Sequence, residues 1–172
     1  AGMHRRAIEC CEKAIEIDPN NSEGHYGKGN ALGSLGNHDE AIECYNRAIE
    51  INPQYSSAYY NKGHTLWTHE RYQESKECFD KVIQIDPADF GAYRLKGVAL
   101  NNLGFAHQGI DCINKALQMN PNDTKSLNAL GILMSVVKDH KESLGCFNLA
   151  IELDPGEAAA YRNKHFPRRL MI

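Results

Sequence analysis

The sequence predicts an all-α protein built from pairs of antiparallel helices that repeat every 34 residues. Prolines recur with this constant step from Pro19 to Pro155, without an interrupting insertion. Glycines keep the same step from Gly29 to Gly131, and a column of small residues runs in the same register. A fixed period of this length is typical of repeat proteins, in which each unit packs on its neighbours.

Each unit reads as two helices joined by a short turn. In the first full unit, helices are expected over residues 23–35 and 39–51, where apolar residues in the second helix follow one helical face. Pro53 then follows the second helix, which it cannot continue. The turn within each unit is expected near Gly36, Glu70, Gly104 or Lys138.

Two pairs of residues are spaced as capping boxes at the start of a second helix. Asn37 stands three residues before Glu40, and Asp139 stands three residues before Glu142. In this arrangement the first side chain accepts a hydrogen bond from a free backbone N–H of the helix. Both second helices are therefore expected to begin at these residues.

The glycine column predicts where the two helices of a unit cross. Glycine costs a helix interior about 1 kcal/mol relative to alanine, so its recurrence implies a gain in packing. We expect Gly29 to face Ala41, Gly63 to face Ser75 and Gly97 to face Gly109. One bulky residue per unit is expected to fill the space beside each crossing: Tyr45, Phe79, Ile113 and Phe147.

These columns resemble the tetratricopeptide repeat, a helix–turn–helix unit of 34 residues. The second full unit carries the pattern at Tyr59, Lys62, Gly63, Leu66, Ser75, Phe79 and Pro87. It departs from the pattern in placing lysine before the glycine, as do two other units. The resemblance extends over residues 4–164. It implies a right-handed superhelical solenoid whose first helices line a concave groove.

The register divides the sequence into one continuous array. A second helix without its first helix is expected at residues 4–21, and a partial first helix at residues 158–166. Residues 167–172 form an off-pattern tail in which Pro167 is expected to stop the helix. The full units occupy residues 22–55, 56–89, 90–123 and 124–157.

Composition and motifs argue against several classes of function. Apolar residues make up 42% and charged residues 24% of the chain. The net charge is −3, so the chain does not have the positive charge that is typical of nucleic-acid-binding domains. No stretch of 18 apolar residues predicts a membrane span. No phosphate-binding, nucleophile-elbow or dinucleotide motif is present, so we predict neither an enzyme nor a cofactor.

The sequence has a column of cysteines that could be interpreted as metal ligands or disulfide partners. The column has one cysteine every 34 residues, namely Cys10, Cys44, Cys78, Cys112 and Cys146, and Cys11 lies outside it. Equivalent positions of successive helix pairs lie about 18–20 Å apart, whereas a disulfide requires Cα atoms within about 7 Å. The columnar cysteines are therefore interpreted as reduced packing residues, and no metal site is predicted. Unpaired thiols favour a reducing compartment, the cytoplasm or the nucleus.

The resemblance also implies which residues line the groove. Positions 2, 5, 9, 12 and 13 of a tetratricopeptide repeat point into it, and amides there bind backbone groups while aromatic rings supply contact area. Tyr26, Tyr60 and Trp67 are expected to be exposed, with packing between neighbouring units as the alternative. The predicted groove residues are Tyr26, Asn30, Tyr60, Asn61, His64, Trp67, Arg94, Val98, Asn101, Asn102, Lys125, Asn128 and Ile132.

The sequence therefore predicts an adaptor that binds a protein or peptide segment, without nucleic acid or membrane as a partner. The expected ligand carries acidic groups, with Arg94 and Lys125 supplying positive charge and the lysine column at residues 28, 62 and 96 at the groove edge. One branch of the family binds the C-terminal carboxylate of its ligand through five side chains, and this sequence has other residues at three of those five positions. The alternative function is an assembly module that self-associates through its open ends or convex face.

Overall fold

The computed structural model describes residues 2–169, and for residues 165–169 it describes the backbone alone. The described residues form ten α-helices and no strand. Their bounds are α1 Gly2–Ile17, α2 Ser22–Ser34, α3 His38–Ile51, α4 Ser56–Thr68, α5 Tyr72–Ile85, α6 Phe90–Asn102, α7 Ala106–Met119, α8 Thr124–Val136, α9 His140–Leu153 and α10 Ala158–Arg169.

The chain forms two compact units that divide between Pro87 and Ala88. In unit 1, helices α1 to α5 pack in chain order, and α2 also contacts α4. In unit 2, helices α6 to α10 pack in the same way, with α8 contacting both α6 and α10. First helices therefore lie against first helices inside each unit. The prediction that all repeats form one continuous array stays a prediction.

The turn inside each helix pair uses a left-handed residue. Gly36 and Gly104 have φ of +87°, and Glu70 and Lys138 occupy the same position with φ of 60° and 67°. The residue after each of them donates its N–H to the carbonyl five residues earlier, as Asn37 does to Leu32 at 3.0 Å. This bond satisfies a carbonyl that the helix end leaves free. The four predicted turn positions are confirmed.

The second helix of each 34-residue repeat ends in a different way. Asn52 and Asp154 are C-caps with extended backbone, at φ −127° and −137°, and each precedes a proline. Proline disfavours the helical conformation of the residue before it, so the helix stops there. The Asp154 carboxylate then accepts from the Gly156 N–H at 2.9 Å, which closes a turn around the proline.

The helix crossings lie where the glycine column predicts them. A Cβ atom at Gly29 would lie 2.7 Å from the Tyr45 ring and 3.2 Å from the Ala41 carbonyl oxygen. At Gly97 it would lie 2.7 Å from the Gly109 carbonyl oxygen. Real Cβ contacts are not this short, so only glycine permits the approach. The residues predicted to fill the adjoining space, Tyr45, Phe79, Ile113 and Phe147, are all buried.

Two crossings carry a hydrogen bond that the sequence analysis did not foresee. The Ser75 hydroxyl donates to the Gly63 carbonyl at 2.8 Å, and the Ser143 hydroxyl donates to the Gly131 carbonyl at 2.8 Å. Both serines are completely buried. A buried hydroxyl without a partner is costly, so the bond explains why serine is accepted in a column of small residues.

One of the two predicted capping boxes is wrong. The Asp139 carboxylate accepts from the Glu142 N–H at 3.1 Å, as expected. The Asn37 side chain makes no such bond and instead donates to the Glu40 carboxylate at 3.0 Å. The amide nitrogen of asparagine is a donor, and at Asn37 it meets an exposed carboxylate that competes for the side chain.

The prediction that Pro167 stops the last helix is also wrong, because the backbone remains helical to Arg169. Proline costs a helix one backbone hydrogen bond and a steric clash, but the φ that it fixes, about −65°, is itself helical and is compatible with the last turn. Residues 170–172 of the predicted off-pattern tail lie outside the described residues.

We predict that Gly97→Ala destabilises the protein by about 1–3 kcal/mol, because the new methyl group meets a backbone oxygen that cannot move aside. The matched control is Gly145→Ala in α9, where an added Cβ meets nothing within 4 Å. That change should stabilise by about 0.5–1 kcal/mol, since alanine favours the helix. Urea unfolding of the three proteins measures both values. Equal effects of the two substitutions would show that the close crossing is not required.

Candidate functional site

Four polar side chains of unit 1 form a hydrogen-bonded network across three helices. The Asn61 amide on α4 donates to the Asn30 carbonyl oxygen on α2 at 2.7 Å and to the Tyr26 hydroxyl at 3.0 Å. The Tyr45 hydroxyl on α3 donates to the same Asn30 oxygen at 2.9 Å. The network brings together Tyr26, Asn30 and Asn61, three of the predicted groove residues.

The network leaves one hydrogen-bonding group free on each amide. The Asn30 oxygen already accepts two hydrogen bonds, so the Asn30 Nδ2 group is left as a donor. The Asn61 Nδ2 group makes two contacts, so the Asn61 Oδ1 atom is left as an acceptor. Within the described part of the chain, neither of these remaining groups has a hydrogen-bond partner.

A cavity of about 420 Å³ opens at this network, and we call it the amide cleft. Its lining includes amides, hydroxyls and imidazoles beside apolar surface, and no carboxylate, lysine or arginine contributes to it. The lining residues are Asn30, Gly33, Ser34, His38, Tyr45, Asn61, His64, Thr65 and Thr68. Of the predicted groove residues, the cleft therefore contains Asn30, Asn61 and His64.

Sequence reasoning missed the part of the cleft contributed by α3 and by the end of α4, whereas Ser34 at the end of α2 was expected in the groove. Thr68 stands four residues after His64, on the same helical face, and this spacing was a usable signal. Tyr45 was assigned to the core, where its ring indeed lies, but its hydroxyl reaches the cleft.

The prediction of exposed aromatic residues is wrong, because Tyr26, Tyr60 and Trp67 are all half-buried. The Tyr26 ring lies 5.0 Å from that of Tyr55, and the Tyr60 ring meets that of Phe79 edge-on at 5.7 Å. Burial of aromatic area against neighbouring rings outweighs solvent exposure at these positions. The Trp67 ring lies 6.4 Å from His64, and its indole nitrogen is buried without a partner among the described residues.

Two histidines, His38 and His64, line the amide cleft, and the ring of a third, His69, contacts that of His38. The rings of His38 and His69 are 4.4 Å apart, and the His69 Nδ1 atom lies 3.0 Å from the Thr65 carbonyl oxygen. His64 is exposed on α4 and lines the cleft together with His38. These imidazoles are adaptable donors and acceptors that supplement the fixed amides.

Three of the four predicted groove residues of α6 have partners within unit 2. The Arg94 guanidinium lies 3.9 Å from the Asp123 carboxylate, and both side chains are only 15% exposed. Val98 packs against the apolar core, and the Asn102 amide donates to the Val98 carbonyl at 3.0 Å. Asn101 carries a buried oxygen without a described partner. Arg94 is therefore not a free cation, contrary to its predicted role.

The predicted residues of α8 lie on an accessible face. Lys125 is exposed, and Ile132 is 39% exposed. The Asn128 oxygen accepts from the Asn163 amide of α10 at 3.0 Å. Asn163 was not predicted, although it stands 35 residues after Asn128, the separation that also joins Asn61 to Tyr26.

Two of the three lysines in the column lie beside carboxylates and do not provide the positive groove edge that was expected. The Lys28 ammonium bonds the Glu12 carboxylate at 2.8 Å. Lys62 lines a second cavity of about 410 Å³ that also contains three carboxylate side chains. Each of these two lysines thus lies beside acidic residues of a second helix. Opposite charges attract across the adjacent helices.

All six cysteines carry free thiols. Cys78 and Cys146 are buried, and burial raises the pKa of each thiol to about 11. Cys10 is exposed on α1. Within the described residues, no helix has the length and apolar character needed to span a membrane.

Two models of the tetratricopeptide repeat match the chain, one over residues 22–55 and the other over residues 1–21 and 56–89. Together they cover residues 1–89, just over half of the sequence. The chain belongs to the tetratricopeptide repeat family. Its predicted fold class, an all-α solenoid of 34-residue helix pairs, is confirmed. No curated protein sequence matches the chain.

Several solved structures share the fold. MamA from Desulfovibrio magneticus RS-1, residues 41 to the end, is 26% identical with a TM-score of 0.84, covering 91% of this chain and 89% of that one. MamA of AMB-1 is 28% identical with a TM-score of 0.79, covering 91% and 92%. YrrB, described as a TPR protein with an unusual peptide-binding site, is 25% identical with a TM-score of 0.77, covering 96% and 85%.

We predict that the network at Tyr45 makes the protein sensitive to high pH. Burial of this 3%-exposed residue, with help from Tyr26 and Cys44, raises the pKa of the Tyr45 hydroxyl from 10.0 to about 12. Between these values the unfolded state loses the proton while the folded state keeps it, so stability falls as the pH rises. The loss contributed by Tyr45 should reach about 2–3 kcal/mol by pH 12.

The test compares urea unfolding of the wild type with Tyr45→Phe from neutral to alkaline pH. The variant should be less stable by about 1 kcal/mol at neutral pH, where it lacks the bond to Asn30. It should lose less stability than the wild type as the pH rises, so the two curves converge. Tyr161→Phe is the control, because Tyr161 is exposed. Parallel curves for wild type and Tyr45→Phe would contradict the assignment.

Proposed function

We propose that this chain is a non-enzymatic adaptor that binds an extended peptide segment, and that the amide cleft of unit 1 is a principal binding site. The observation that carries the proposal is the pair of unpartnered groups on Asn30 and Asn61. One is a donor and the other is an acceptor, and a peptide group presents the complementary carbonyl and N–H.

The rigidity of the network supports binding through backbone groups. Tyr26 and Tyr45 hold the two amides through their hydroxyls, so the amides do not need to be ordered when a ligand arrives. Ordering side chains at an interface costs about 0.5–1.5 kcal/mol for each flexible one. A pre-ordered donor and acceptor avoid this cost, which favours recognition over a surface of mobile side chains.

The lining of the cleft indicates which part of a ligand it accepts. Amides, hydroxyls and imidazoles bind uncharged polar groups without the desolvation cost of burying an ion. The peptide backbone and small polar side chains meet this requirement. Within unit 2, Lys125 is exposed whereas Arg94 faces Asp123, so Lys125 is the better partner there for an acidic group of a ligand.

Three further observations support an adaptor in a reducing compartment, the cytoplasm or the nucleus. Tetratricopeptide repeat proteins act as scaffolds for protein interactions. One structural neighbour, YrrB, is described as having a peptide-binding site. The free thiols of this chain suit a compartment in which disulfides do not persist.

The test selects peptides from a displayed random heptapeptide library on the wild-type chain and measures their affinity for variants. Asn61→Ala removes the free acceptor and releases the Asn30 amide, so we expect affinity to fall about tenfold, the loss of one well-placed hydrogen bond or more. Gln73→Ala is the matched control, because Gln73 is an exposed amide on α5 that bonds only Glu77.

Fluorescence anisotropy with labelled peptides gives the affinities, and circular dichroism checks that each variant is folded. Equal loss in Asn61→Ala and Gln73→Ala, or no loss in either, would place the peptide elsewhere. Failure of the library to yield any peptide that binds the wild type would contradict the adaptor function itself.

Self-association is the second candidate function, and the exposed face of α1 favours it. No residue of α1 is buried, and Met3 and Ile17 are 84% and 86% exposed. Ala7 is exposed, whereas Ala41, one period later, is completely buried. In every full repeat the residue equivalent to Ala7 is buried, and the residue equivalent to Ile17 is much less exposed than Ile17, with a maximum of 44% at Met119. This face of α1 is therefore suited to another helix of the same kind.

We predict that the 172-residue chain associates in a concentration-dependent manner and that Ile17→Lys weakens this association. Lysine keeps the helix but puts a charge at the contact, which apolar packing does not tolerate. Sedimentation velocity from micromolar to millimolar protein measures the shift. Glu16→Lys, at an exposed neighbouring position that is already charged, is the control. A chain that stays monomeric throughout this range would exclude self-association through α1.

A further inference from the structure

A row of accessible side chains on α8 differs in character from the amide cleft. Lys125, Asn128, Ile132 and Val136 follow one another at spacings of three and four residues, so they share one face of the helix. Ile132 is 39% exposed and Val136 is 54% exposed. We call these four residues the α8 stripe. It begins with a cation and an amide and ends with two aliphatic side chains.

The amide of the stripe is held by one hydrogen bond to a second amide, without the tyrosine hydroxyls that also hold the amides of unit 1. The Asn163 Nδ2 group donates to the Asn128 oxygen at 3.0 Å, just as Asn61 donates to Tyr26 at 3.0 Å. This bond leaves the Asn128 Nδ2 group as a donor and the Asn163 Oδ1 atom as an acceptor. Neither has a partner within the described chain. Unit 2 therefore presents its own pair of groups complementary to a peptide group.

The neighbouring positions show what distinguishes the two sites. Ile132 and Val136 stand 102 residues, or three periods, after Asn30 and Ser34. In α2 these positions are polar, and the Ser34 hydroxyl bonds the Asn30 backbone carbonyl at 2.9 Å. In α8 they are aliphatic and partly exposed. The same location in the repeat thus offers hydrogen bonds in unit 1 and apolar contact in unit 2.

We infer that the α8 stripe together with Asn163 is a second peptide-binding site, selective for a segment that carries an aliphatic side chain next to the peptide group held by Asn128 and Asn163. This inference rests on the proposed adaptor function and adds a side-chain preference to it. The occupant is a peptide because the free donor and acceptor match a peptide group. The aliphatic preference follows because Ile132 and Val136 expose apolar surface that only an apolar group would cover favourably.

The dimensions of the stripe set the length of the segment. From Lys125 to Val136 the helix rises about 16 Å, at about 1.5 Å per residue. An extended peptide advances about 3.3 Å per residue, so about five residues span the stripe. An acidic residue beside Lys125 would then lie about three residues from the aliphatic side chain.

The experiment replaces the two aliphatic residues of the stripe with the polar residues that occupy the equivalent positions of another repeat. The double variant Ile132→Asn, Val136→Ser gives α8 the residues that α2 carries at the equivalent positions. Leu149→Lys is the matched control, since Leu149 is an exposed aliphatic residue of α9 whose column holds Lys81 and Lys115. Circular dichroism and thermal unfolding confirm that both proteins remain folded.

Random heptapeptides are selected in parallel on the wild type, the double variant and Leu149→Lys. We expect the wild type and Leu149→Lys to enrich peptides with one fixed aliphatic position, and the double variant to lose that enrichment. The wild-type peptides should bind the double variant about tenfold more weakly, the effect of losing the apolar contact of about one aliphatic side chain. Asn163→Ala should weaken the same peptides.

An aliphatic preference that persists in the double variant would overturn the inference, and so would its loss in Leu149→Lys, which would indicate nonspecific apolar binding. The outcome for the adaptor function is separate. Peptides that bind the wild type, depend on Asn61 and are indifferent to the stripe would leave that function intact while excluding this site. If no peptide binds the wild type, both proposals are wrong.

Discussion

The close contact between the two helices of each pair is the constraint on which the rest of the structure depends. At Gly97 and Gly109 the backbones approach until a single methyl group would collide with a carbonyl oxygen. This contact costs the helix conformational entropy at each glycine, and dense packing of one large residue per crossing offsets that cost. The crossing occupies one face of the first helix, and the side chains at the predicted groove positions differ in size and polarity from one helix pair to the next.

The positions of the repeat therefore fall into two classes, which differ in how much their residues vary. The crossing and filling columns admit only residues that keep the packing, and they are glycine, alanine, serine or one bulky apolar side chain. The predicted groove positions of the first helices vary in chemistry, from Tyr26 and Asn30 in α2 to Asn128 and Ile132 in α8. Some of them also pack within the fold, as Tyr26 does against Tyr55, so the differences among them change both the packing and the groups that a ligand would meet.

Periodicity alone was sufficient to predict the helices, the four left-handed turns and the glycine crossings, because each is fixed by short-range geometry. Gly36 and Lys138 occupy one column, and the backbone demands the same conformation of both. The site was predicted less completely. Asn30, Asn61 and His64 were found through the resemblance, but the contact of Asn61 with Tyr26 joins residues 35 positions apart and depends on side-chain conformation.

The errors have a common physical origin. Arg94 and Lys28 were interpreted as free cations because each is polar and stands on a first helix. In the structure each faces a carboxylate, of Asp123 and Glu12. Likewise, Tyr60 was interpreted as an exposed ring, but Phe79 covers its edge. Sequence spacing predicts the helical face on which a residue lies. It does not predict whether a residue of the adjacent helix pairs with its charge or packs against its ring.

The groups that remain unpaired after this sharing define the chemistry available to a ligand. In unit 1 they are an amide donor, an amide acceptor and the surrounding hydroxyls and imidazoles. In unit 2 they are a similar amide pair beside Ile132 and Val136. Because peptide groups are common to all proteins, the amides alone do not discriminate between ligands. Discrimination must come from the flanking residues, and these are the positions at which the two units differ.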